Sequence, residues 1–181
     1  MTDIPVKIRQ REVPPGDDLD ENLTPLLNKI YRARNITSKE ELDYGLQYLP
    51  PPLSIKDMAG AVSLLAEHVK ADLSIFIFGD FVADGATSTA VMMKGLRAMG
   101  AKQLSFLIPD RFKFGYGLTP EIVEVAALQD PDLIITVDNG IASIDGVARA
   151  KARGIRVLVT DHHLAGDELP EADAIINPNQ P

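Results

Sequence analysis

Phe78-Gly79-Asp80-Phe81-Val82-Ala83-Asp84-Gly85-Ala86-Thr87-Ser88 is the stretch from which the rest of the chain can be read outward. It follows Leu73-Ser74-Ile75-Phe76-Ile77-Phe78, an apolar run with the composition of a buried strand. It precedes residues 86–99, whose spacing predicts a helix closed by Gly100. Two carboxylates and a glycine turn thus sit between a strand's C-terminal end and a helix's N-terminus, where open α/β sheets bind ligands. Two later segments repeat the arrangement: Leu133-Ile134-Ile135-Thr136-Val137-Asp138-Asn139-Gly140 and Val157-Leu158-Val159-Thr160-Asp161-His162-His163. Three strand ends that deliver Asp, Asp and Asp-His-His to one edge predict a metal site.

On either side of this stretch, short apolar strands alternate with amphipathic helices. Strands are expected over 73–78, 103–107, 133–137, 155–160 and 174–176, and helices over 86–99, 120–128 and 143–153. That alternation predicts an α/β fold, a parallel sheet of about five strands covered by helices on both faces. Right-handed crossovers then bring the strand C-terminal loops to one edge. Upstream, Ser54 is expected to cap a helix running to about residue 70, with Ile55, Met58, Ala59, Val62, Leu65, Ala66 and Val69 as its buried stripe. Before it, Leu49-Pro50-Pro51-Pro52-Leu53 interrupts regular structure and is the linker.

Residues 1–52 then form a short, mostly helical N-terminal extension, and 53–181 the α/β domain that carries the strand-end acids and histidines. The extension opens with irregular chain carrying a basic strip, Lys7, Arg9 and Arg11. A helix over 22–33 follows, with Leu23, Leu26, Leu27, Ile30 and Tyr31 on one face. Thr37 or Ser38 with Glu40 and Glu41 resembles a capping box for a short helix to Tyr44.

Composition sets outer bounds. At 181 residues and 45% hydrophobic content the chain can bury one core. No cysteine is present, which excludes a disulfide framework and thiolate metal sites. The opening Met1-Thr2-Asp3-Ile4-Pro5 lacks a signal-peptide apolar core and no apolar run approaches a membrane span, so a cytoplasmic protein is expected. The net charge of −8 speaks against a generic nucleic-acid coat without excluding a local basic track.

Each carboxylate has a purely structural alternative: Asp80 or Asp84 can cap the following helix, and Asp138-Asn139-Gly140 can be an ordinary turn. Asp161-His162-His163 is harder to assign to packing, and the combination favours a metal. Oxygen donors with imidazoles and no sulfur suit Mn²⁺ or Mg²⁺. Two such ions can activate a water and stabilise a leaving oxygen in phosphodiester cleavage.

Gly79-Asp80, Asp84-Gly85-Ala86-Thr87-Ser88-Thr89-Ala90, Val137-Asp138-Asn139-Gly140-Ile141 and Thr160-Asp161-His162-His163-Leu164 resemble the first three motifs of the DHH phosphoesterases. More narrowly, the chain resembles the RecJ-type single-strand-specific exonucleases, to which Arg111-Phe112, Gly115-Tyr116-Gly117-Leu118 and Ile175-Ile176-Asn177-Pro178-Asn179 are also similar. The resemblance runs from about Ile8 onward. It implies a Rossmann-like DHH domain and Mn²⁺- or Mg²⁺-dependent hydrolysis of single-stranded DNA from its 5′ end, in DNA repair and recombination. Single-stranded DNA is the implied partner, with other repair or replication proteins as further candidates and no membrane.

Carried over by position, the resemblance implies that residue 82 ligates one ion, Asp84 binds the neighbouring ion, Asp138 bridges both, and His162 completes the second, so that Asp84, Asp138 and His162 form the set that holds it. His163 faces the scissile phosphate or assists a metal, while Asp161 and Asp80 act from behind. The family's first motif is Asp-x-Asp-x-Asp-Gly, and its middle acid is here Val82. One ion therefore loses a ligand, and reduced metal occupancy is expected. The resemblance also implies a further ligating aspartate and a second domain beyond residue 181, so the chain alone is expected to be inactive or nearly so.

Arg111, with Lys113, Phe112, Phe114 and Tyr116, suits phosphate neutralisation and base stacking. The alternative is a glycine-rich loop packed under the sheet edge. Thr87 and Ser88 at a helix N-terminus suit a phosphate, or simply helix packing. Arg149, Lys151, Arg153 and Arg156 read as a solvated helix face. Two other functions stay open: a non-catalytic DHH protein binding nucleic acid or a partner, and a phosphoesterase of short oligonucleotides.

Overall fold

The computed structural model describes residues 8–180, which fall into two compact units divided between Pro50 and Pro51. In the first unit the expected helix is shorter, α1 (Pro25–Arg32). Thr24 caps it, its hydroxyl accepting from Leu27 N–H, and Pro25 occupies the first helical position, where a missing N–H costs nothing. Residue 22 is not helical because Asn22 is held in a turn by the Asp20 carboxylate.

The face predicted to be buried is also corrected. Leu26 is 66% exposed, and the buried residue of α1 is Asn28. Its side chain accepts from Leu19 N–H and donates to the carbonyls of Asp20 and Leu23, satisfying a loop that α1 covers. The second helix is a 3₁₀ turn, Lys39–Leu42, that ends before Tyr44. Glu41 accepts from the N–H groups of Thr37 and Ser38, as the capping box requires. Of the basic strip, Lys7 lies outside the described residues, and Arg11 donates to Ala33 O at the end of α1.

The second unit holds α2 (Met58–Lys70), β1 (Ile75–Gly79), α3 (Ala83–Ala98), β2 (Leu104–Leu107), α4 (Arg111–Phe114), α5 (Pro120–Ala127), β3 (Leu133–Val137), α6 (Ile144–Ala152), β4 (Arg156–Thr160) and β5 (Ala174–Ile176). The five strands form one parallel sheet in the order β2-β1-β3-β4-β5. Chain direction across the sheet reverses between β1 and β3, and the crevice at their C-terminal ends is the topological switch point.

Burial on both faces explains why the strands read as continuous apolar runs. Ile75, Ile77, Leu133, Ile135, Val137 and Leu158 pack with Ala61 and Leu64 of α2 and Met93 and Leu96 of α3. The alternate residues Phe76, Phe78, Ile134, Val157 and Val159 pack with Ile122, Val123 and Ala126 of α5 and Val147 and Ala150 of α6. At about 1.5–3 kcal/mol per fully buried large side chain, these two layers dominate the stability of the unit.

Helix α2 departs from expectation. Ser54 lies in a 3₁₀ turn, its hydroxyl donating to Pro51 O, and Asp57 precedes the helix. The buried stripe is Ala61, Leu64 and His68, whereas Val62 is 53% exposed. Apolar residues occupy more than half of this helix's circumference, so periodicity alone cannot choose its inner face; the sheet does. Helix α3 begins at Ala83 rather than residue 86, and the loop after β2 contains the turn of helix α4, capped by the Asp110 carboxylate on Phe112 N–H. The basic residues read as a solvated face are paired across elements: Arg149 and Arg153 with Glu124, Lys151 with Glu171, and Arg156, which lies on β4, with Asp173 and Glu67. Among the described residues no helix is long and apolar enough to cross a membrane.

Candidate metal centre

Each strand end presents its acid through a local device. After β1, Asp80 is buried, and Gly85 lets the first turn of α3 lie on it: a Cβ there would come within 2.2 Å of Asp80 O. Val82 takes the N-cap position with no side-chain hydrogen bond to the helix, and Asp84 stands exposed in the first turn. Its charge complements the helix dipole.

After β3, Asp138 adopts a left-handed conformation (φ 62°), which Asp tolerates better than most residues, and its N–H donates to Thr160 O of β4. Asn139 is fully buried and donates to Val137 O and Phe78 O, tying β3 to β1 at the switch point.

After β4, Asp161 organises the turn. Its Oδ2 accepts from Ile141 N–H at 2.9 Å, and its Oδ1 accepts from His162 N–H at 2.7 Å, His163 N–H at 3.1 Å and the His163 ring at 2.7 Å. Burial pushes the Asp161 carboxyl up, but these hydrogen bonds outweigh it and hold it below the usual carboxylate range. The same contact raises the basicity of His163.

Ligand atoms of Asp138, His162 and His163 all lie within 4.8 Å of one another. His162 Nε2 is 2.9 Å from Asp138 Oδ1, and the two imidazoles stand 4.6 Å apart, centroid to centroid. Donors that each sit about 2.0–2.2 Å from a common ion are separated by up to about 4.4 Å, so these three side chains suit one divalent cation after small movements. Asp161 behind His163 is the carboxylate–imidazole arrangement that sets tautomer and ring orientation in metal sites.

Asp84 does not join this trio. It lines a cavity of about 620 Å³ together with Asp138, His162 and Ser88. A larger cavity, about 940 Å³, is lined by Asp80, Val82, Arg111, Tyr116, Asp161 and His163. The centre therefore lies between two open spaces, with Val82 on the wall of the larger.

Arg111 reaches this edge from α4. Its guanidinium is 3.8 Å from Asp80 and 5.0 Å from the centre of the Tyr116 ring. Tyr116 in turn places its hydroxyl 3.3 Å from His163 Nδ1. Burial, followed by the charges of Asp161, Asp80 and Asp138, pushes the Tyr116 phenol up to about 12, against the opposing Arg111. Thr87 and Ser88 donate their hydroxyl protons to helix carbonyls, Thr87 to Ala83 O and Ser88 to Asp84 O. Neither proton is left over for an anion. Sequence reasoning assigned no role to Asn177 and Asn179, which donate to the carbonyls of His163 and His162. Their only sequence signal was the run around Asn177-Pro178-Asn179.

A doubly wound parallel sheet whose switch point gathers acids from β1 and β3 and an Asp-His-His turn from β4 has the architecture of a DHH domain. The profile of the DHH family, N-terminal domain, matches residues 74–181, and the chain belongs to that family. It is 46% identical over 173 residues to the single-stranded-DNA-specific exonuclease RecJ of Salmonella typhimurium, a match covering 96% of this chain and 30% of that protein. The RecJ of Escherichia coli is 44% identical over 174 residues, covering 96% and 30% respectively. Among solved structures, an exonuclease RecJ bound to manganese superposes with a TM-score of 0.64 at 35% identity, covering 72% of this chain and 32% of the other. The RecJ–Mn²⁺ complex of Thermus thermophilus gives 0.61 at 34% identity, covering 82% and 20%. The chain thus spans about 30% of the length of these curated relatives.

Proposed function

We propose that this chain carries the metal-binding part of a RecJ-like exonuclease that hydrolyses single-stranded DNA from its 5′ end. The convergence of Asp138, His162 and His163 within 4.8 Å at the switch point supports the proposal most strongly. Mn²⁺, bound by the RecJ relatives in their solved structures, is the ion of choice, with Mg²⁺ as the alternative. Asp138, His162 and His163 would hold it, with Asp84 approaching from the smaller cavity. A bound divalent ion supplies a water of lowered pKa and Lewis-acid stabilisation of phosphate oxygens.

The remaining roles belong to the chain's own side chains. Asp161 orients the His163 ring. Arg111, released from Asp80, offers a planar fork to a phosphate. Exposed Phe112, 95% accessible, and half-exposed Tyr116 offer stacking faces to unpaired bases. DNA repair and recombination, a cytoplasmic location and contacts with other repair proteins follow as parts of the same proposal.

Val82 supports a second reading, a DHH protein that binds but does not cut. Valine offers no lone pair where the family motif has an acid, so one ion is expected to be lost and activity to be low. The test compares a protein of the relatives' full length carrying this chain with its Val82→Asp and Asp138→Ala variants on 5′-labelled single-stranded and duplex DNA. Mn²⁺-dependent release of mononucleotides from single strands, increased by Val82→Asp and abolished by Asp138→Ala, is expected. No cleavage by either the parent or Val82→Asp favours the binding protein.

A further inference from the structure

We propose that Asn177 and Asn179, just past the end of β5, are positioning residues for His162 and His163. This rests on the reading that those imidazoles hold the divalent ion. The turn after β4 belongs to no helix or strand, so the peptide groups of both histidines need partners outside the sheet ladder. Three side chains provide them all. Asp161 Oδ1 accepts both N–H groups, at 2.7 and 3.1 Å. On the carbonyl side, Asn177 Nδ2 donates to His163 O at 2.9 Å and Asn179 Nδ2 donates to His162 O.

The two asparagines are themselves fixed. Asn177 is 1% exposed, and its Oδ1 accepts from Asn179 N–H at 2.7 Å. That contact orients the amide so that only its NH₂ end can meet the histidine carbonyl. Pro178 between them restricts φ, and Gln180 donates back to Ile175 O at 2.6 Å, closing the turn onto β5. Asp161 N–H donates to Ile176 O at 3.0 Å, holding the ends of β4 and β5 together. The histidine backbone is thus clamped from both sides, by β4 through Asp161 and by β5 through the asparagines. With both peptide planes pinned, only ring torsions remain to be set when the imidazoles converge on an ion, which is how a rigid support raises affinity.

Asn177→Ala, Asn179→Ala and the double variant test this. Asp173→Ala serves as the control, because Asp173 anchors the other end of β5 through Val157 N–H and Arg156 without touching the histidines. Two readouts are taken at a temperature where circular dichroism shows each variant folded: Mn²⁺ affinity by calorimetry, and the imidazole ¹⁵N resonances of the metal-free protein. The double variant is expected to bind Mn²⁺ about tenfold more weakly and to shift both histidine signals. Asp173→Ala is expected to lower the melting temperature and leave both readouts unchanged. Asn179→Gln keeps a donor on an exposed side chain and is expected to recover part of the Asn179→Ala loss. Unaltered Mn²⁺ affinity and unmoved ring signals in the double variant, or an equal loss in Asp173→Ala, overturn the proposal. If the parent chain binds no Mn²⁺ while the asparagine variants still move the ring signals, the metal reading fails and the clamp stands.

Discussion

After β4, the Asp161–His163 turn has its histidine peptide groups bonded to side chains and two rings converging with Asp138. After β1, the turn from Asp80 to Asp84 reaches the same switch point with far less. Asp80 faces Arg111 at 3.8 Å, Val82 gives the helix no side-chain cap, and Asp84 stands exposed outside the ligand trio. Both turns follow buried strands and both carry family motifs. The difference teaches that strand-end side chains converge where side-chain hydrogen bonds tie down the backbone that carries them. The β4 side brings two imidazoles to the Asp138 carboxylate, while the β1 side carries a valine at position 82.

The strongest challenge to this contrast is Asp138→Ala, which removes the carboxylate of the trio. Mn²⁺ binding measured by calorimetry is expected to weaken on the order of 100-fold or more, since outer partners alone account for about 10–100-fold. Retained binding would move the ion away from β3 altogether. Gly85→Ala probes the β1 turn instead. The new Cβ must displace the Asp80 backbone, 2.2 Å away, and a loss of about 2–3 kcal/mol in chemical denaturation is expected. A neutral result would mean that α3 does not rest on Asp80.

Val82→Asp sharpens the comparison from the other direction. Calorimetry is expected to show the Mn²⁺ count rising from one to two per chain. Asp84→Ala should matter little in the parent and clearly in Val82→Asp. Two ions already bound by the parent chain would refute the contrast between the turns. The smallest effect concerns Tyr116. Its phenol is pushed up to about 12 by burial and by the charges of Asp161, Asp80 and Asp138, so it should stay protonated in ultraviolet titrations above the ordinary phenol range. The signal is assigned with Tyr116→Phe. Bound Mn²⁺ offsets those carboxylates and is expected to lower this value. An unchanged titration with metal bound would separate Tyr116 electrostatically from the centre.

Much of this was legible before folding. Strands β3 and β5 match the predicted ranges because short apolar runs bounded by turn residues have few other solutions. Helix α5 starts at Pro120 after its Thr119 cap, as the predicted range has it. Legibility failed where several faces were equally apolar, as in α2, and where a polar residue was needed inside, as with Asn28 in α1.

By itself, the sequence determined the alternation of strands and helices and the acids and histidines at strand ends, because these depend on composition and short-range spacing; the valine in the first motif stood out through the family resemblance. Only the tertiary structure decided which of those acids meets the histidines. It also showed that asparagines about fifteen residues downstream hold the histidine backbone, because β5 must pair beside β4 before Asn177 and Asn179 reach those carbonyls.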